Sequence, residues 1–292
     1  MTIAQEKQQA IVEELIKGLE LGVIPWQNPC AAELPKNLQS NKTYRGINYL
    51  YLTYIANKKS YKHNIWGTFL QIKNAGGSVN CGEKSVPVIY WTITEKEVTN
   101  KNGLKEVKEI PILRYYNVFN IEQTNMKLPE KQHNNFNPIE KAEGVIKANN
   151  PNLIVSVSGN YYIPSEDTIY IQKPETFINT NEYYGVTFHE LSHWTGNAKR
   201  LNRPLESLNK DRNSYSQEEL IAEMASSFIM QELGLPINKT NTQAYINNWA
   251  NFLKNQKEAL VSASSKASKA ADYIFGRKLN EGAGKEVCHE QR

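Results

Sequence analysis

Cysteine is scarce in this chain, and its three cysteines are too far apart to suggest a shared role. Cys30, Cys81 and Cys288 are odd in number and show no paired spacing. This pattern is typical neither of a disulfide framework nor of a cysteine-ligated zinc site. Such cysteine usage suits a reducing compartment, and we expect a cytoplasmic protein.

Long apolar segments are also missing. No run approaches the roughly 20 apolar residues that a helix needs to cross a bilayer, so we expect no membrane partner. Residues 1–20 carry four glutamates instead of a basic stretch followed by an apolar one, and we therefore expect no signal peptide. The chain of 292 residues, 40% of them hydrophobic, is long enough for two packed domains.

Positive charge is unevenly distributed along the chain. Residues 1–127 contain 16 lysines and arginines against 11 acidic residues, whereas the remainder contains 18 against 19. A basic first half is a weak indication of a polyanionic partner.

The most informative motif is H-E-x-x-H at residues 189–193. On a helix, His189 and His193 lie on one face, where both imidazoles can bind one metal ion. Glu190 lies beside them and can take a proton from a metal-bound water. Zinc suits these ligands, and a catalytic zinc site uses three protein ligands plus water. We expect one Zn²⁺ per chain, with another divalent metal as an open possibility; the alternative is a helix with two partly exposed histidines.

A third ligand is predicted in the amphipathic segment 216–228. Glu219 and Glu223 lie four residues apart on one edge of its apolar face. In zinc peptidases with a glutamate as third ligand, an E-x-x-x-(D/E) helix follows the second histidine by a few tens of residues. We predict Glu219 as the ligand and Glu223 as the residue that orients a histidine, or as the alternative third ligand. The other interpretation is a solvated charge pair. We do not expect His289 to bind metal.

The hydrophobic pattern predicts an α+β fold in two domains, residues 1–135 and 136–276, followed by a disordered tail, 277–292. The polar segment 130–137 is the predicted linker, and Asn102-Gly103 is a hairpin signal. Predicted helices are 3–20, 49–58, 64–73, 139–149, 245–260 and 262–275, besides the two motif helices. Predicted strands are 86–93, 110–119, 154–157, 160–163 and 168–171. We interpret the second domain as a small zincin-type core, with a small sheet and helices.

Aromatic, cationic and amide side chains alternate around Gly46 in the first half. Rings stack on unpaired bases at roughly 1–3 kcal/mol each, and cations follow the phosphates. This chemistry suits single-stranded nucleic acid, and the candidate contact residues are Trp26, Tyr44, Arg45, Asn48, Trp66 and Lys84. The alternative is that the rings belong to the core, which is the commoner outcome for Trp66 and Phe69.

Motifs along nearly the whole chain agree in order and spacing with one family. They are Ile24–Trp26, Tyr44–Asn48, Trp66–Phe69 with Gln71, Gly82–Lys84, Val118–Gln123, Tyr161–Pro164, His189–Gly196 with Arg200-Leu201, and Glu218–Glu223. With these motifs the chain resembles the ArdC-type antirestriction proteins of conjugative plasmids and related mobile elements, over about residues 5–275. The resemblance implies an N-terminal single-stranded DNA-binding domain, a zincin-like metallopeptidase domain, and protection of incoming DNA from host restriction. The family's second tryptophan, in P-W-x-x-P-W, is replaced here by Cys30.

Three functions therefore compete. In the first, a DNA-tethered zinc metallopeptidase cleaves a protein such as a restriction component, with Glu190 as general base and Tyr161, Tyr162 or Tyr215 as oxyanion donor. In the second, the protein passively coats single-stranded DNA and its metal site is structural. In the third, the protein is a metal-dependent nuclease. We favour the third least, because phosphodiester hydrolysis usually employs Mg²⁺ with oxygen ligands or paired metals.

Overall fold

Eight α-helices and two small sheets form the parts of the chain that a computed structural model describes, residues 1–26, 34–99, 105–128, 138–205, 212–236 and 243–277. The helices are α1 (Ile3–Glu20), α2 (Gly46–Lys58), α3 (Phe69–Asn74), α4 (Pro138–Asn149), α5 (Thr180–Trp194), α6 (Arg212–Leu233), α7 (Gln243–Asn255) and α8 (Lys257–Ile274). The strands are β1 (Lys36–Asn37), β2 (Ile65–Gly67), β3 (Val86–Thr99), β4 (Lys105–Asn120), β5 (Asn152–Ser156), β6 (Tyr161–Ile163) and β7 (Thr168–Gln172). The mixture confirms the predicted α+β class.

The first sheet is dominated by one long antiparallel pair. Its strand order is β1-β2-β4-β3, and the β3–β4 ladder runs from Val86 opposite Val118 to Thr99 opposite Lys105. The base of the ladder is buried, whereas residues 94–97 and 105–109 are exposed. The predicted Asn102-Gly103 turn lies outside the described residues.

The predicted helix at residues 64–73 is wrong in its first half. Trp66 lies in β2, which pairs with β1 and β4, and its indole donates a hydrogen bond of 2.6 Å to Oδ1 of Asn64. The helix begins only at Phe69, because Thr68 and Gln71 form a reciprocal capping box. The ring spacing therefore belongs to a strand followed by a short helix.

The second half builds its small sheet beside two long helices. The sheet has the order β5-β7-β6, with β5 parallel and β6 antiparallel to β7. Helix α5 packs against β6, β7 and α6. The order of helix, small sheet and motif helices is the one that the sequence predicted.

One core runs through both halves. Helices α1 and α2 of the first half pack against α8, which also packs against α5, α6 and α7. The buried face of α8 consists largely of alanine and serine, including Ala263, Ala267 and Ser264, and small side chains let neighbouring helices approach closely. The two closing helices meet at Gln256 rather than near residue 261, a correction to their predicted bounds.

Several predictions fall on undescribed residues: the linker at 130–137 with the domain boundary at 135, and the tail from residue 278 onward, including His289. Arg277, the last described residue, forms ion pairs with Glu232 and Asp272. Cys81 is an exposed free thiol. Within the described ranges, no helix has both the length and the apolar content required to cross a membrane.

Candidate metal centre

Helix α5 presents the two motif histidines toward α6. The helix begins after Asn179, whose side chain accepts a hydrogen bond of 3.0 Å from the backbone N–H of Glu182. Because His189 and His193 are one turn apart, their Nε2 atoms converge to 3.2 Å. Both side chains are largely buried, and both Nε2 atoms lie near the same carboxylate, that of Glu219.

Helix α6 runs antiparallel to α5 and brings a carboxylate to the same point. Glu219 places Oε2 3.4 Å from Nε2 of His189 and Oε1 3.4 Å from Nε2 of His193. Farther along the interface, Ser226 donates a hydrogen bond of 2.7 Å to the carbonyl of Gly185, which keeps the two helices in this register. The structure therefore brings the three predicted ligands together.

The spacing and chemistry of these donors fit a divalent metal ion. Two ligands bound about 2.1 Å from a tetrahedral ion lie about 3.4 Å apart. Here the two Nε2 atoms are 3.2 Å apart, and each lies 3.4 Å from a different oxygen of the Glu219 carboxylate. One ligand atom from each of the three residues can be chosen so that all lie within 4.8 Å of one another. Two imidazoles and a carboxylate suit first-row transition metals. Among the described residues, His189, His193 and Glu219 are the group of His, Cys, Asp and Glu side chains close enough to share an ion.

Each histidine also contacts a second carboxylate through its other ring nitrogen. Glu223 Oε1 lies 3.4 Å from Nδ1 of His189, close enough for an ion pair, although this nitrogen has no hydrogen-bond partner among the described residues. Glu218 Oε1 lies 3.2 Å from Nδ1 of His193, a role that the sequence analysis did not assign. A carboxylate on Nδ1 fixes the ring and leaves Nε2 as the ligand atom.

Arg203, from the segment after α5, holds Glu218 in place. Its guanidinium donates to both carboxylate oxygens, with Nε at 2.9 Å from Oε2 and Nη2 at 2.7 Å from Oε1. The same guanidinium bonds Thr195 Oγ1 and the Ser192 carbonyl at the end of α5. Arg203 lies a few residues beyond the motif, and only the packing of its loop shows that it belongs to the site.

The buried carboxylates around His189 and His193 favour a positive charge between these residues. Burial acts to lower the pKa of His193, but hydrogen bonds to Glu218 and Glu219 outweigh it and raise the pKa to about 10. Burial acts to raise the pKa of Glu219, yet hydrogen bonds to both histidines hold it well below its usual range. Glu219 therefore stays ionised and favours a cation beside the two rings.

The predicted general base and the three predicted oxyanion donors lie in different environments. Glu190 follows His189 on α5 and is 7% exposed, so its carboxylate lies in the protein interior. The Tyr162 hydroxyl donates to Asp167 Oδ1 at 2.9 Å and accepts from Asn197 Nδ2 at 3.0 Å, so it is part of a structural network. Tyr161 lies on β6, 38% exposed and stacked on Tyr170. Tyr215 is not among the residues whose side chains the structure describes.

Three of the six predicted DNA-contact residues are core residues. Trp26, Tyr44 and Trp66 are 0%, 0% and 1% exposed. Trp26 packs edge-on against Trp249 of α7, and Tyr44 accepts a hydrogen bond from Asn37. Their rings cannot stack on bases in this structure, a correction to the predicted contacts. By contrast, Phe69, for which burial was the commoner expectation, is 60% exposed.

The Tyr44–Asn48 motif forms a joint between the two halves. Arg45 forms an ion pair with Asp272 and bonds the Ser268 carbonyl. Gly46 has a φ of +54°, which favours glycine, and its N–H bonds Ser268 Oγ. Asn48 bonds both the N–H and the carbonyl of Ile89 on the outer edge of β3. Of the predicted contacts, only Lys84 is exposed, whereas Arg45 and Asn48 are partly buried.

Comparison with protein families assigns both halves. The N-terminal domain of anti-restriction factor ArdC matches residues 5–119, and the zincin-like metallopeptidase family matches residues 140–266. Among curated proteins, DNA primase TraC of Escherichia coli is 32% identical over 91% of this chain, which spans only 20% of TraC. The uncharacterized protein y4eC of Sinorhizobium fredii (strain NBRC 101917 / NGR234) is 29% identical over 92% of this chain and 91% of its own length.

Two crystal structures of the antirestriction ArdC protein from plasmid R388 are similar over almost their whole length. The metal-free structure has a TM-score of 0.78 and 32% identity, covering 92% of this chain and 96% of that chain. The Mn(II)-bound structure has a TM-score of 0.74 and 30% identity, covering 94% and 98%. These matches confirm the resemblance seen in the motifs: the chain belongs to the ArdC antirestriction family, with an ArdC N-terminal domain followed by a zincin-like metallopeptidase domain.

Proposed function

We propose that this protein binds single-stranded DNA in the cytoplasm and protects incoming mobile-element DNA from host restriction with a zinc peptidase site. The observation that carries the catalytic part is the convergence of His189, His193 and Glu219 to within 3.4 Å. Two histidines and a glutamate are the ligand set of thermolysin-type zinc enzymes, and zinc accepts it in tetrahedral geometry. The R388 relative with bound Mn(II) supports a divalent ion.

The chain's own residues supply the remaining chemistry. His189, His193 and Glu219 would hold the zinc, which when bound would lower the pKa of a water and polarise the substrate carbonyl. Glu190 accepts the proton of the attacking water and returns it to the leaving amine. Glu218 and Glu223 keep the two rings oriented during this transfer, since each contacts one Nδ1 atom. The substrate class is a protein near incoming DNA, such as a restriction component.

Metal analysis of the full-length protein tests the site itself. We expect about one zinc per wild-type chain and loss of zinc in the His189→Ala/His193→Ala double variant. Glu190→Gln is the matched control, because it changes the same helix without removing a ligand and should retain zinc. Equal zinc in the wild type and the double variant contradicts the site.

Glu190→Gln also separates the competing functions in a restriction-protection assay. Proton transfer by a positioned side chain contributes typically 10²- to 10⁴-fold to rate, so a peptidase loses protection while DNA binding persists. A passive coating protein keeps full protection in this variant. A nuclease would instead cut labelled DNA incubated with the wild type, and that result would overturn the peptidase assignment.

A further inference from the structure

The distal part of the β3–β4 hairpin has an unusual arrangement of charge. Glu95 lies directly opposite Glu109, and Lys96 lies directly opposite Lys108. Directly opposed residues of an antiparallel ladder share a face, and like charges in this position are destabilising. All four side chains are exposed. Two consecutive like-charge pairs therefore weaken the hairpin on its own, and suit a partner that neutralises one face.

Strand alternation sorts these charges onto opposite faces. The basic face contains alternate residues from Tyr90 to Lys96 on β3 and from Glu106 to Tyr116 on β4. Its charged side chains are three cations, Lys96, Lys108 and Arg114, and one carboxylate, Glu106. The opposite face contains three carboxylates and one cation, Lys105, which pairs with Glu97 at 3.2 Å. The faces thus differ in sign.

Two tyrosines complete the basic face at the base of the hairpin. The rings of Tyr90 and Tyr116 are half-buried, with centroids 5.5 Å apart, and Tyr90 lies directly opposite Arg114. The six residue steps from Tyr90 to Lys96 span about 20 Å of extended strand. Rings and cations therefore share one face of the hairpin, the combination that holds unpaired bases and their phosphates.

We propose that the basic face of the β3–β4 hairpin is where this protein holds single-stranded DNA. The inference rests on the proposed function and moves the contact surface away from the buried rings of Trp26, Tyr44 and Trp66. Lys96, Lys108 and Arg114 contact phosphates, and the tyrosine pair stacks on bases at the core end of the face. The acidic face opposite them repels the strand and limits it to one side of the hairpin.

The test measures binding of full-length protein to a labelled oligothymidylate by fluorescence anisotropy over a range of salt. Lys96→Gln/Lys108→Gln is expected to weaken binding about tenfold at low salt, and to lower the magnitude of the salt slope by about 1.4, because single strands give roughly 0.7 per phosphate contact. Lys147→Gln/Lys173→Gln is the matched control. It removes the same charge from exposed positions in the second half and should bind like the wild type.

The possible outcomes distinguish a failure of this inference from a failure of the proposed DNA-binding function. A wild type that binds no oligonucleotide overturns both. A wild type that binds, with the hairpin variant unchanged in affinity and salt slope, overturns only the assignment of the face. The same variants are also tested for binding to anionic lipid vesicles. If the hairpin variant loses vesicle binding but keeps oligonucleotide binding, the face binds a different polyanion and the proposal is wrong. Photocrosslinking of a bromodeoxyuridine oligonucleotide provides an independent readout, with crosslinks expected in peptides containing residues 90–96 or 108–116.

Discussion

At the scale of single residues, the candidate metal centre depends on which nitrogen of each histidine faces the ligand cluster. Glu218 and Glu223 occupy the two Nδ1 positions and so leave both Nε2 atoms directed at Glu219. Arg203 neutralises Glu218 through hydrogen bonds to both carboxylate oxygens and ties it to the end of α5. The geometry of the three ligands is thus determined by residues that do not themselves belong to the cluster.

Glu218→Gln is predicted to lower metal affinity about 10- to 100-fold, the usual effect of removing a hydrogen-bonding partner of a ligand. The amide keeps the size of the side chain but cannot hold the imidazole through a charged acceptor. Competition with a chromophoric chelator measures the affinity. Glu175→Gln, which removes the same charge from an exposed turn, is the control. Equal affinities for Glu218→Gln and this control would contradict the positioning role.

The sequence predicted the histidine pair because its spacing is local, and His189 and His193 must share a face on any helix. Glu219 was predicted differently, from the E-x-x-x-(D/E) pattern that follows the second histidine in glutamate-ligated zinc peptidases. Glu218 was not predicted, because only the packing of α6 against α5 decides which of two adjacent glutamates faces a ligand and which faces Nδ1. The burial of Trp26 was not predictable for a similar reason: its ring packs against Trp249, more than two hundred residues away in the sequence.

At the scale of elements, Asn48 takes the place of a neighbouring strand. β3 lies at the edge of its sheet, and the Asn48 amide, from α2, bonds the N–H and the carbonyl of Ile89 at 2.9 and 2.6 Å. This contact covers part of an open edge and attaches the long hairpin to the helices.

Asn48→Ala is predicted to reduce the free energy of unfolding by about 1–3 kcal/mol, because it leaves two backbone groups of β3 without a partner. Urea denaturation measures the change. Asn117→Ala, at an exposed position of β4, provides the comparison and should stay within about 0.5 kcal/mol of the wild type. If both variants unfold at the same urea concentration, the anchoring role of Asn48 is wrong.

Most helices and strands were predictable from periodicity, and the errors have local causes. At residues 64–73 the aromatic spacing fitted a helix, but the Thr68-x-x-Gln71 capping signal placed the helix start at Phe69. That signal is present in the sequence and could have located the boundary. The break at Gln256 has no glycine or proline, so the sequence alone does not show where one helix ends and the next begins.

At the scale of the whole molecule, the two halves share one core. Trp26 packs against α7, Arg45 pairs with Asp272, and Tyr49 bonds Gln231. Exposed ion pairs such as Lys257 with Glu13 also join the halves but contribute little. The apolar contacts of α1 and α2 with α8 therefore carry the association.

We predict a single cooperative unfolding transition for the full-length protein. Metal at 100 times its dissociation constant should add about 2.7 kcal/mol to the stability of both halves. Calorimetry with and without metal measures the transition, and hydrogen exchange in α1 and α5 reports on each half. The His189→Ala/His193→Ala variant should show no metal-dependent shift. Two separate transitions, with only one responding to metal, would contradict a shared core.

Because the two halves share one core, the gene segment that encodes them is expected to be transferred whole. A gene fusion that transferred residues 1–128 alone would leave the apolar faces of α1 and α2 uncovered, whereas transfer of the whole stretch keeps them covered by α8. The similarity to TraC follows that expectation, since it extends over 91% of this chain within one fifth of a much longer polypeptide. Recombination is thus expected to move the two halves as one block, which keeps the N-terminal ArdC domain and the zincin-like domain together in each new host protein.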